Sequence, residues 1–437
     1  MDTSNPSQEE PAALVSPLLS FTETMLALRS ISAADVSNWL NLRYARIFQG
    51  QLIQVLSGRL TREGQEALAD LFEQYSIVPA DLYPSAAEDP GQPDERGKAW
   101  ASRLEQIQAE HGSPRNAAER PRLGRDALLW IRLYHRPRPS DLVNRSVLVT
   151  VISAFEGLLS AVVQFYLRTK PEVMRSSERE FSLAELTSMS RIGDAIEMAI
   201  ESRVESLLRG GITDWAKWFK RELAIDPADL AIDWARCVEA FERRNAIIHT
   251  QSRVSHTYQR RISSSSQLGQ ILIVDQGYLN DALEEIATLG WLLAVRVWTK
   301  VEPRSTERAI ALGIMQTREF ATLGYWRAVQ KLNSVLRRAD VPIRWRLQCK
   351  VQEWLARSHL YGKGTIHSEI AGWDVSALSV DLKAAKALLM GDLTTAEAHV
   401  REAADLGLIT KDDFKQDELY AELRGDARFS HLEQLFE

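Results

Sequence analysis

Apolar residues along this chain recur mostly at helical spacing. Between Leu142 and Tyr166, the side chains of Leu148, Ile152, Phe155, Leu159, Val162, Val163 and Tyr166 fall on one stripe with Glu156 at its edge, which predicts a long amphipathic helix. Upstream, Leu26, Leu28, Trp39, Leu40, Leu42, Leu52, Val55, Leu60, Leu68 and Phe72 keep the same rhythm. They predict a small helical domain over residues 16–97, whose far end, from Tyr83 to Glu95, carries three prolines and reads as a linker. Residues 1–15 mix Pro, Ser, Gln and Glu and are expected to form a disordered tail.

Further helices are predicted from Ser182 or Leu183 to Ile200, from Trp215 through Phe219, across Phe241 to His249, and from about Tyr278 to Val301. Gly269 to Val274 departs from the rhythm: this short β-branched run after Ser263 to Ser266 predicts one arm of a small β-hairpin insertion. From Pro303 onward the pattern is one of stacked helical hairpins. Gly391-Asp392-Leu393, preceded by Leu382, Ala385 and Leu389 and followed by Ala396, Val400 and Ala403, resembles the turn and flanking helices of a tetratricopeptide repeat. Gly324-Tyr325-Trp326 occupies a comparable place about two periods earlier. The expected fold is mainly α, with a helical module and its basic lead-in over 98–302 and hairpin repeats over 303–437.

Composition refines this picture. A chain of 437 residues, 45% hydrophobic and 26% charged, can bury large cores and is expected to divide into two or three domains. Its net charge of −6 gives no global attraction for nucleic acid, so a polyanion needs a local basic patch. The most basic stretch holds Arg115, Arg120, Arg122, Arg125, Arg132, Arg136, Arg138 and Arg145 against only Glu119, Asp126 and Asp141. Trp130, Tyr134 and His135 interleave there and offer stacking surface for bases, although a solvated loop with an amphipathic helix has the same composition. Cys237 and Cys349 lie far apart with no ligand-spaced neighbour, which argues against a disulfide framework or structural zinc and for a reducing cytoplasm. The start of the chain is polar and acidic, and no uninterrupted apolar run approaches the roughly 20 residues of a membrane span, so neither export nor insertion is expected.

The candidate chemistry sits in Arg244-Asn245-Ala246-Ile247-Ile248-His249. At about 100° per residue, Trp234, Val238, Phe241, Asn245 and Ile248 share one stripe, which sets Asn245 on an otherwise apolar face. Arg244 projects to one side and His249 to the other, while Arg243, nearly opposite, is expected to point into water. A permanent cation beside an imidazole that titrates near neutrality suits a phosphodiester. RNA cleavage needs a base for the ribose 2′-hydroxyl and a cation for the charge that builds on phosphorus oxygens, the natural roles of His249 and Arg244, with no metal and no cofactor. One histidine cannot serve as base and acid on opposite sides of phosphorus. A second copy is therefore expected, in a homodimer formed through this helix. A surface or helix-capping role for the same residues is the plainer alternative. Arg253, His256, Tyr258, Arg260 and Arg261 follow the motif and extend either a positive cleft floor or a solvated loop. His359 and His367 lack suitable partners, and Asp412-Asp413 reads as helix-end charge.

The Arg-Asn-x-x-x-His pattern on a late helix of a helical module, with Ser153 to Leu159 upstream and the Gly269 to Val274 run followed by Tyr278-Leu279 downstream, resembles the HEPN superfamily over about Arg125 to Val301. The resemblance implies a metal-independent endoribonuclease that leaves a 2′,3′-cyclic phosphate. It assigns Arg244, Asn245 and His249 to catalysis, with Glu156 and Arg243 as support in a cleft shared by two subunits. Many such proteins are toxins or antiviral effectors acting on tRNA or mRNA. A branch silenced by nucleotide addition has tyrosine two places after the histidine, where this chain has Gln251. Two other readings remain open: a non-catalytic RNA- or nucleotide-binding module, and a scaffold whose C-terminal hairpins recruit a protein partner.

Overall fold

The computed structural model describes residues 14–33, 60–76, 95–112, 139–176, 191–262 and 266–436. Residues 1–13 of the expected tail, most of the proline linker and the arginine-rich stretch from Arg115 to Arg138 lie outside the described residues; the tail's last two residues are ordered instead, with Leu14 buried and Val15 opening the first helix. The described chain is mainly α-helical, as the periodicity implies. Its α-helices are α1 (Val15–Ala33), α2 (Arg62–Ser76), α3 (Glu95–His111), α4 (Pro139–Thr169), α5 (Ile192–Leu208), α6 (Ile212–Leu223), α7 (Pro227–Leu230), α8 (Trp234–His249) and α9 (His256–Ile262). There follow α10 (Gln276–Val301), α11 (Thr306–Thr322), α12 (Trp326–Leu336), α13 (Ile343–Tyr361), α14 (Gly364–Ala371), α15 (Val380–Met390), α16 (Leu393–Asp405), α17 (Lys411–Gln416) and α18 (Ala421–Gly425).

The predicted stripe on α4 is buried from Leu148 through Ile152, Phe155, Leu159, Val162 and Val163 to Tyr166. Counting only unbroken apolar runs understates this helix. Thr150, Ser153, Ser160 and the single charge of Glu156 interrupt the run, yet an 18-residue window within Ser140–Thr169 reaches a mean hydropathy of 2.0, enough by length and composition for a membrane span. Half of that window is buried within the protein, as in a core helix.

No β-strand forms among the described residues. Where the hairpin was expected, Arg253 and Ile271 form an isolated antiparallel bridge, flanked by Val254 N–H donating to Gln270 O at 2.9 Å and Leu272 N–H to Ser252 O at 2.7 Å. The facing segment, Ser252 to Ser255, is too short to extend the pairing before α9 begins.

Backbone contacts divide the chain into two compact units. The first comprises residues 1–26, 152–238 and 281–437. Within it, Thr22 Oγ1 accepts from Trp291 Nε1 and donates to Gln316 Oε1, both at 3.1 Å, which ties α1, α10 and α11 together through a fully satisfied buried hydroxyl. A Cβ on Gly290 would lie 2.8 Å from the Phe21 ring, so glycine is what lets α1 and α10 approach this closely. Glu284 and Asp281 on α10 hold Arg327 at the start of α12: Arg327 Nη2 lies 2.6 Å from each carboxylate, and Glu284 Oε1 also accepts the Ala328 N–H at 3.1 Å.

The C-terminal part of this unit is built of helical hairpins, as the spacing predicts. Gly391 closes α15 with φ +79°, a left-handed conformation that suits glycine, and Asp392 opens α16 by accepting the Thr395 N–H at 3.1 Å. Leu382, Ala385, Leu389, Ala396, Val400 and Ala403 then meet in one core with Trp354, Ile366 and Phe414. Gly324, φ +73°, makes the equivalent turn between α11 and α12.

The second unit comprises residues 27–151 and 239–280. Asn144 Nδ2 donates to Val274 O at 3.0 Å, and Ser32 Oγ donates to Asn280 Oδ1 at 3.0 Å. Helices α2 and α3 are joined at their ends by the Leu60–Gly112 bridge. The hexapeptide lies in this unit, on the last turns of α8.

Candidate functional site

The motif helix forms where expected, but burial changes sides along it. In its first half Cys237, Ala240 and Phe241 are buried; in its second half Ala246 is buried, about 180° from Cys237 at ~100° per residue. Ala246 packs with Val254, Tyr258 and Leu272, because the chain turns back after the helix and lays α9 against it. The expected apolar stripe therefore does not define the covered face: Asn245 is half-buried and Ile248 is 51% exposed.

The backbone turn that reverses the chain is specific. Gln251 and Ser252 follow the helix with φ of 52° and 62°, the left-handed region, and the N–H groups of Thr250 and Ser252 both donate to Ala246 O at 2.9 Å. Two adjacent non-glycine residues in that region cost on the order of 1–2 kcal/mol each. The Leu272 bond to Ser252 O and the Ala246 core offset that cost.

Arg243 does not point into water. It is largely covered, donates from Nε to Glu239 Oε1 at 2.6 Å, stacks its guanidinium 3.9 Å over the Tyr278 ring and donates to Ile273 O. Glu239 Oε1 also accepts from the Tyr258 hydroxyl at 2.6 Å, and Oε2 from the Tyr278 hydroxyl at 2.5 Å. Burial works against the Arg243 charge, but Tyr278 and Glu239 outweigh it and raise its pKa. Burial, reinforced by the Glu239 charge, pushes both phenols above the usual tyrosine range, so they stay protonated and donate. Arg243 and Tyr258, expected beside the active groups and on an RNA-binding surface respectively, are thus enclosed in a structural network. Glu239 sits one turn before Arg243, a spacing visible in the sequence as an i, i+4 ion pair; Tyr278 was foreseeable only as a helix residue.

Arg244 is half-buried, and its Nη1 donates to Asn245 Oδ1 at 3.3 Å, so the amide positions the guanidinium. His249 is the last residue of α8 and is exposed, with no hydrogen-bond or ion-pair partner among the described residues. Five helical positions separate the two, about 140° round the axis and roughly 7.5 Å along it. Of the other candidates, Arg253 is exposed and donates from Nη1 to Gly269 O at 3.0 Å, which staples the bridge region. Arg261 is exposed but pairs with Glu242 at 2.7 Å. His256 and Arg260 are exposed on α9. Glu156 is half-buried on α4, in the first unit. No group of three His, Cys, Asp or Glu side chains among the described residues is arranged to hold a metal.

No known protein family matches the chain, and neither a curated protein nor a solved structure is detectably similar to it.

Proposed function

We propose that the protein is a metal-independent endoribonuclease that works as a homodimer, with the active cleft formed where two copies of α8 meet. The observation that carries this reading is the arrangement on α8 itself: Arg244 held by Asn245, and an exposed His249 one and a half turns on. Two such helices crossing antiparallel about a twofold axis near Ala246 and Ile247 would bring Arg244 of each copy opposite His249 of the other. The face they would share carries half-buried Asn245 and exposed Ile248.

In this mechanism one His249 takes the proton from a ribose 2′-hydroxyl, and the resulting alkoxide attacks the adjacent phosphorus. The second His249 protonates the leaving 5′-oxygen. Arg244 donates hydrogen bonds to the phosphoryl oxygens as negative charge builds on them. The products are a 2′,3′-cyclic phosphate and a 5′-hydroxyl. Exposed His256 and Arg260 lie on the neighbouring α9 and supply positive surface for the strand. The RNA class, tRNA or mRNA, and a role as a toxin or antiviral effector belong to the same proposal by analogy with the superfamily.

The exposed, unsupported ring of His249 also suits a module that binds RNA without cutting it. Labelled tRNA and mRNA incubated with the full chain, chelator present, separate the two. Cleavage to cyclic-phosphate ends that disappears in Arg244→Ala and in His249→Ala supports the enzyme. Retention of RNA without cleavage supports the binding module, and cleavage unchanged in both variants overturns the site.

A further inference from the structure

From Arg243 to Val274 the chain carries Arg243, Arg244, Arg253, Arg260 and Arg261 and no Asp or Glu. Two of these arginines find a carboxylate just upstream, on α8: Arg243 is enclosed with Glu239, and Arg261 Nη1 donates to Glu242 Oε1 at 2.7 Å. The pairs differ in exposure. The side chains of Arg243 and Glu239 are equally covered, whereas Glu242 is 10% exposed and Arg261 54%. A covered carboxylate thus anchors a guanidinium that stays open to solvent. Only Nη1 of Arg261 is engaged among the described residues, so the rest of its planar fork of N–H donors remains for a ligand.

Position says which ligand. Glu242 lies seven residues before His249, about 20° short of two full turns, so the two share one edge of α8, roughly 10.5 Å apart along its axis. Seen from Ala246, which α9 covers, Glu242 and His249 fall about 40° and 60° to the same side, while Arg244 lies about 160° round the other way. Arg261 is therefore held on the His249 edge. With its tip pinned to Glu242, it meets a phosphate other than the one beside His249.

We propose that Arg261, oriented by Glu242, binds a phosphate of the RNA strand removed from the scissile one, so that the preferred substrate is a strand of several nucleotides laid along the edge of α8 that ends at His249. This rests on the reading of α8 as an RNA site. Charge-assisted hydrogen bonds from the open side of the fork to the phosphate oxygens supply the contact. It fixes the strand in register without selecting bases.

Two single-stranded probes test it on the full chain: a ribodinucleoside monophosphate, whose one phosphate is the scissile one, and a hexaribonucleotide with the same central step. Arg261→Gln, which keeps a donor for Glu242, is expected to raise KM for the hexamer about tenfold with kcat unchanged, and to leave dinucleoside turnover as it is. A 2′-O-methyl hexamer cannot be cut; its Kd, read by fluorescence anisotropy, is expected to weaken by the same factor, with a dependence on log salt shallower by about 0.7. Arg261→Lys, which keeps the charge but not the fork, is expected to recover part of the loss. Hexamer binding unchanged in Arg261→Gln overturns the proposal, while cleavage that still disappears in His249→Ala leaves the ribonuclease reading standing. Binding that depends on Arg261 without any cleavage does the reverse. Dinucleoside turnover reduced as much as hexamer turnover also overturns it, because Arg261 would then act only through the fold. No hexamer binding by the wild-type chain overturns both.

Discussion

Arg243 Nε lies 2.6 Å from Glu239 Oε1, one turn back on the same helix, inside a cage closed by Tyr258 and Tyr278. That contact separates two arginines that are neighbours in sequence: Arg243 belongs to the architecture, while Arg244 belongs to the proposed site. Arg243→Ala is expected to destabilise the protein by about 3 kcal/mol, because it strands a covered carboxylate. Arg244→Ala is expected to cost less stability than Arg243→Ala while abolishing cleavage. Denaturant melts of both variants, read beside the RNA assay, check the division.

The same cage predicts an alkaline limit. The folded-state pKa values of Tyr258 and Tyr278 are raised, so their contribution to stability is intact below about pH 10, the ordinary tyrosine value, and is lost as pH climbs through the folded values. Absorbance at 295 nm is expected to show their ionisation only with unfolding. A pair of phenols that titrated at pH 10 in the folded protein would contradict the cage.

Acid acts on a different contact. Burial works against the Asp281 charge, but hydrogen bonds from Arg236 and Arg327 outweigh it and hold its carboxyl below the usual range. The stabilisation is present above the ordinary aspartate pKa and is lost as pH falls through the depressed folded value. Asp281→Asn is expected to flatten the acid limb of a plot of thermal midpoint against pH; an unchanged limb would assign acid sensitivity elsewhere.

Requiring two histidines in one cleft has a quantitative signature. If wild-type and His249→Ala chains are mixed in equal amounts and allowed to exchange, about a quarter of the dimers retain both rings, so cleavage is expected near one quarter of the all-wild-type rate. Independent sites would give one half. Ile248→Asp is expected to yield a folded monomer in sedimentation velocity, without cleavage.

Much of the fold could be read from spacing alone. The buried stripe of α4 and the glycine turn at Gly391 follow from periodicity and from a backbone conformation that only certain residues tolerate. The candidate site was less legible. A helical wheel treats the chain as if one face met one core, but α8 is covered on one side near Cys237 and on the other near Ala246. The second covering comes from Val254, Tyr258 and Leu272, whose return depends on Gln251 and Ser252 adopting positive φ. Neither residue type announces that conformation. The Glu239 to Tyr278 bond, 39 positions apart, is equally beyond local pattern.

Helix ends ordinarily fray, and a proton-transfer group on a final turn would spend much of its time out of place. Here the carbonyl of Ala246 receives the amides of Thr250 and Ser252 together, while the Thr250 hydroxyl donates to Arg253 O at 2.7 Å. The last turn is thereby latched from beyond its own end. Amide exchange at Thr250 and Ser252 should be slow for so terminal a position, and the imidazole next to them inherits a fixed base from which only its side-chain torsions need to search.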